Sequence, residues 1–164
     1  MTNSLNFSNF DTVRKELYTA CFGEDMSDTM CEYFATLSRG FDIGSIRAQK
    51  TYDKDIFKAD LQNALRAMEE MKPIAKSHLS ESNPCRQECW KFVMLNIELY
   101  SMIGKAILVR LDGDIERSKE MVKSAAQIAF EKEDELQCAL DCSFFESMTR
   151  TRITPEKAIA FKDV

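Results

Sequence analysis

"PCRQECWKFVMLNIELYSMIGKAILVRL", Pro84 to Leu111, decides the fold. Cys89, Val93, Ile97, Tyr100, Gly104, Ile107 and Leu111 recur at helical spacing and make one apolar stripe. Phe92, Leu95, Leu99, Met102, Ala106 and Val109 make a second stripe beside it. Lys91, Glu98 and Lys105 recur every seven residues and mark one narrow polar seam. A helix that is apolar around most of its circumference has to be buried, because leaving that surface in water is unfavourable. The stretch is therefore read as a central rod touched by neighbours on several sides.

The segments around it supply those neighbours. Asp55 opens a helix on which Phe57, Leu61, Ala64 or Leu65, Met68, Met71, Ala75 and Leu79 repeat at helical spacing. Pro73 falls inside that pattern and lacks the backbone donor an interior position uses, so a kink or break is expected near Lys72. After the rod, Asp114 is placed to cap a helix carrying Ile115, Val122, Ala125, Ala129 and Phe130. The polar "EKEDE" that follows either exposes one helical turn or splits the segment. The apolar pattern resumes at Leu136, Ala139, Leu140, Phe144 and Met148. Thr154, Pro155 and Glu156 read as cap, first position and first-turn acid of a short terminal helix.

Toward the N-terminus, a helix is expected from about Phe10 to Phe22, capped by Asn9 or Asp11. Its stripe is Phe10, Val13, Leu17 and Ala20 or Cys21, and Gly23 ends it. A second helix from about Ser27 to Arg39 shows Met26, Met30, Phe34 and Leu37, and Gly40 stops it. Residues 40–54 lack helical period and read as a connecting loop. The expectation is one all-α domain over residues 1–164. It comprises an N-terminal helical hairpin (10–39), the loop, a main antiparallel bundle (55–150) and a C-terminal tail (151–164). Composition agrees: five glycines and three prolines in 164 residues are too few for the many turns of an all-β chain.

Charge and motif exclude several functions. The net charge is −5 with signs intermixed, and no basic run marks a nucleic-acid surface. No unbroken run of 18 apolar residues appears, so no membrane span is expected. The opening "MTNSLNFSNF" has neither a basic nor an apolar leader region, so a cytoplasmic location is expected. A leader ahead of it in a longer polypeptide is compatible with the same reading. No Gly-rich phosphate loop is present. The single histidine, His78, rules out a multi-histidine metal site and suits a surface or C-terminal-turn position. No Glu-x-x-His pair offers a di-iron site. Glu69, Glu70, Glu98 and the "EKEDE" acids look like solvated faces rather than a glycosidase pair. Trp90, Phe92 and Tyr100 could form a sugar-stacking platform, but aromatic residues at helical spacing are more often core, and core packing is the reading adopted.

The cysteines are the remaining chemistry. Cys85 with Cys89, and Cys138 with Cys142, each put two sulfurs on one helical face. Four such thiolates suit zinc, copper(I) or a cluster, and pairs of this kind also form bridges. Cysteine equally serves as a small buried apolar side chain. Filling is the reading adopted, with no metal, cofactor or catalytic residue expected. Six free thiols imply a reducing compartment or an anaerobic host.

"VRKELYTACFGEDMSDTMCEYFATL", Val13 to Leu37, resembles a helical module that follows the catalytic-like barrel in a bacterial family of unknown function. That family is related to α-glucuronidases and hexosaminidases and is common in polysaccharide degraders. The matching positions are Tyr18, Ala20, Phe22, Gly23, Met30, Tyr33 and Phe34. "ALRAMEEMKPIA" and "ILVRLDGD" are similar, more loosely, to the module's later helices. A (β/α)8 barrel needs about 250 residues and alternating strands, so the barrel's reacting residues have no counterpart here. The resemblance implies a non-catalytic helical domain that packs against a barrel of the same or a neighbouring protein, or against a second copy of itself. A free-standing interaction protein, docking through an exposed apolar patch on helix one or two, is the alternative. A thiol-based metal or redox module is a third.

Overall fold

The computed structural model describes residues 8–42, 53–136 and 141–152. Among them every regular element is helical, and the expected all-α bundle is what forms. Helix α1 is Ser8–Phe22, α2 is Glu24–Gly40, α3 is Lys54–Ser77 and α4 is Pro84–Leu111. Helix α5 is Ile115–Glu131, α6 is the single turn Glu133–Leu136 and α7 is Cys142–Arg152. A 3₁₀ turn, His78–Ser80, links α3 to the loop before α4.

Helix α4 has the bounds and surroundings its sequence demands. It packs against α1, α3, α5 and the 3₁₀ turn. Beyond its first two residues, its exposed positions are Lys91, Glu98 and Lys105, the expected polar seam, joined by Glu88. By length and composition α4 could cross a membrane, and 44% of its most apolar stretch is buried inside the chain. Its N-terminal half enters a core cluster with Phe22, Met30, Tyr33, Met68 and Trp90. Its C-terminal half enters a second cluster with Phe57, Leu61, Val122, Ala125 and Phe145. Helices α3 and α4 run through both clusters and make one continuous core.

Local chemistry sets the helix ends. The Asp53 carboxylate accepts from the Asp55 and Ile56 amides at 2.9 and 3.1 Å, so α3 starts one residue before its expected Asp55. Asn83 caps α4 and Asp114 caps α5 in the same manner. The link between α1 and α2 is Gly23 alone. Its φ of 96° lies in the left-handed region that side chains resist, so the chain reverses within one residue. Helix α2 consequently begins at Glu24 rather than near Ser27. Gly40 does not stop α2 by its conformation but lets it approach α3. A Cβ there would press on the Ala64 methyl and lie 2.8 Å from the Asp60 carbonyl oxygen.

Several expectations need correction. Helix α3 continues through Pro73 without a break. Pro73 and Glu69 are both exposed, so the carbonyl that loses its helical partner is open to water. Helix α1 starts at Ser8, which puts Asp11 in its first turn, ion-paired with Arg14 at 2.9 Å, instead of at the cap. "EKEDE" splits its segment, with Lys132 as the turn between α5 and α6. On α7 the core face is Cys142, Phe145 and Thr149, while Phe144 points outward. Ile115 and Phe130 of α5 are likewise exposed, and Ser118 and Ala126 are buried in addition to Val122, Ala125 and Ala129. Cys138 and the terminal Thr154–Pro155–Glu156 turn lie outside the described residues.

Candidate functional site

Helix α1 has two apolar sides. Its inner side holds Tyr18, Cys21 and Phe22. The Tyr18 ring stacks on Phe34 of α2 at 5.5 Å, and Phe22 meets the edge of Trp90 at 5.0 Å. The other side is Phe10, Val13 and Leu17, exposed at 67%, 55% and 57%. These three were expected to be the helix's apolar stripe. They share a face but do not enter the core. Aromatic mass decides the matter, since Tyr18 and Phe22 bury more area against Phe34 and Trp90 than the outer three would. Arg14, ion-paired with Asp11 at 2.9 Å, borders the outer stripe, while Lys15, paired with Asp28 of α2 at 2.9 Å, lies on the opposite side of the helix. An apolar centre with a polar rim is the pattern of a docking face.

A second feature lies between α3, α4 and α5. A groove of about 870 Å³ has Phe92, Leu95, Met102 and Ile128 on its apolar floor. Two of its three carboxylates are tied to cations, Glu88 holding Lys91 at 2.6 Å and Glu98 holding Lys132, and the third, Glu69, is exposed to solvent. No histidine or cysteine lines it. A paired acid and base for hydrolysis needs carboxyl groups held in contrasting environments, and ion-paired rim residues do not supply that.

Trp90 and Tyr100 pack in the core, the reading adopted, and no platform forms. Trp90 is fully buried, covered by the His78 ring at 4.5 Å and 13°. Tyr100 turns to Phe41 and Phe145, while Phe92 lies in the groove, so the three share no surface. His78 closes the C-terminus of α3, as expected. It is half-buried rather than a free surface group, and its Nδ1 lies 2.6 Å from Glu81 Oε1.

The thiols separate. Cys142 is buried in the cluster around α5, with its Sγ–H donating to the Ala129 carbonyl at 3.2 Å. Cys89 belongs to the other cluster, and Cys85 is exposed on the first turn of α4. Among the described residues no group of three or more His, Cys, Asp or Glu is placed to hold a metal ion. What spacing did not reveal is that Cys89 shares its core cluster with Cys21 of α1. Burial first, and then the neighbouring Cys21 side chain, push the Cys89 thiol up to about 11. Tyr33 and Tyr100 are raised by burial alone.

The chain matches no protein-family model, no curated protein and no solved structure.

Proposed function

We propose that the chain is a non-catalytic helical domain that acts by packing, with the outer face of α1 seated on a neighbouring domain. The observation that carries this reading is the exposed stripe of Phe10, Val13 and Leu17. Covering apolar surface is favourable by about 25 cal/mol per Å². Three side chains so exposed offer roughly 300 Å², well below the roughly 800 Å² per partner of a free-standing complex. A contact of that size suits a partner already held nearby on the same or an adjoining polypeptide, because tethering removes much of the entropy cost of association. The likeness of Val13–Leu37 to the module behind a glycoside-hydrolase-like barrel suggests that such a barrel is the neighbour. The reacting groups then belong to the barrel, and this chain contributes shape and apolar area.

The test is to produce the chain together with the polypeptide encoded beside it and measure their association. Phe10→Asp and Leu17→Asp are expected to weaken the complex at least about tenfold while leaving the chain's circular dichroism unchanged. Association indifferent to both variants contradicts the reading, as does glycoside hydrolysis by the isolated chain. Dimerisation of the isolated chain that both variants abolish would make a second copy the occupant instead.

A further inference from the structure

Among the described residues, α3 and α5 each pack on α4 but not appreciably on each other. The Ser101 hydroxyl of α4 donates to Met68 Sδ of α3 at 3.5 Å, and Lys132, just past α5, reaches Glu98 of α4. The groove between these two walls follows α4 from Glu88 to Lys105, roughly 25 Å at 1.5 Å per residue. Its volume, about 870 Å³, lies in the range of small-molecule sites, which in bundles sit between helices. Phe92 is half-buried there and belongs to neither core cluster, so its ring serves the groove rather than the fold. Met94 and Met102 also line it, and unbranched thioether side chains reshape readily around an apolar ligand. The chain carries a net charge of −5, yet the groove is lined by four lysines and three glutamates. Glu88 is taken by Lys91 and Glu98 by Lys132. Among the described residues Lys72 and Lys105 have no ion-pair partner, and Glu69 pairs with neither.

We propose that this groove binds a free anionic amphiphile, a long-chain carboxylate whose hydrocarbon lies on Phe92, Leu95 and Met102 and whose head is drawn to the Lys72 and Lys105 ammonium groups. A long apolar floor rewards an extended chain, because each buried methylene is favourable by about 0.8 kcal/mol. The two unclaimed cations on the rim select an anion at its end. A helix of the groove's length and about 10 Å width displaces roughly 2,000 Å³. That is more than the groove holds, which favours the thinner alkyl chain. No residue of α1 lines the groove, so the inference is independent of the docking face on that helix.

The test titrates the full chain with dodecanoate, kept below its micelle concentration, by isothermal titration calorimetry. A single saturable site per chain is expected. Dodecyltrimethylammonium, with the same tail and the opposite charge, is expected to bind at least about fivefold more weakly. Lys72→Glu and Lys105→Glu, both at exposed positions, are each expected to weaken dodecanoate about fivefold. Phe92→Ser is expected to weaken it about tenfold. Phe10→Asp and Leu17→Asp are expected to leave it unchanged. Absence of a saturable site overturns the inference, as does equal binding of the two head groups, or a loss caused by the α1 variants and not by the groove variants. Binding to phosphatidylglycerol vesicles without binding of free dodecanoate also overturns it, because the occupant is then a membrane. So does a dimer, seen by light scattering, that the lysine variants dissociate, since a second copy then fills the groove. The two lysine variants decide the outcome even if Phe92→Ser folds poorly.

Discussion

Helices α1 and α4 carry apolar stripes of the same period and lie against each other, yet water reaches one stripe and not the other. On α4 nearly every side meets a neighbour, and only the seam of Glu88, Lys91, Glu98 and Lys105 faces out. On α1 the neighbours take Tyr18, Cys21 and Phe22 and leave Phe10, Val13 and Leu17 uncovered. Apolar periodicity states that a helix has a face to cover. It does not state whether the cover comes from the same chain.

Substitutions on the two helices should separate accordingly. Trp90→Ala removes a fully buried ring that packs on Phe22 and His78, and is expected to cost about 3–5 kcal/mol in urea unfolding. A loss below about 1 kcal/mol would mean that α4 is not enclosed there. Gly104→Val tests the closest approach to α4, where a Cβ would stand 2.8 Å from the Leu65 side chain and 3.1 Å from Phe41. Overpacking of that kind is expected to cost about 1–3 kcal/mol by the same measurement. On the seam, Glu98→Ala breaks only a solvent-facing ion pair with Lys132, and a change of at most about 1 kcal/mol is expected.

The two helices also show how far residue order alone reaches. Helix α4 was legible to the residue, because an all-round apolar rod of that length has few ways to satisfy itself other than enclosure. The caps at Asp114 and Gly23 were legible because their chemistry is local. The sidedness of α1 was not, since Phe10, Val13 and Leu17 and the set Tyr18, Cys21 and Phe22 both satisfy helical spacing. Choosing between them requires knowing that Phe34 and Trp90 wait on one side. Pro73 misled for a related reason: a proline breaks a helix when the orphaned carbonyl has no other partner, and exposure of Glu69 is a property of the assembled bundle.

The exposed stripe is the point on which the functional reading turns. The most direct measurement is urea unfolding, with light scattering, of the triple variant Phe10→Gln, Val13→Gln and Leu17→Gln. Glutamine matches leucine in helix propensity and exceeds phenylalanine and valine by only about a few tenths of a kcal/mol, so a large loss reports packing. The expected result is a monomer whose stability lies within about 1 kcal/mol of the parent. A loss of about 3 kcal/mol or more would show that the three side chains are already covered within the chain or by a second copy, and would contradict a free docking face on α1.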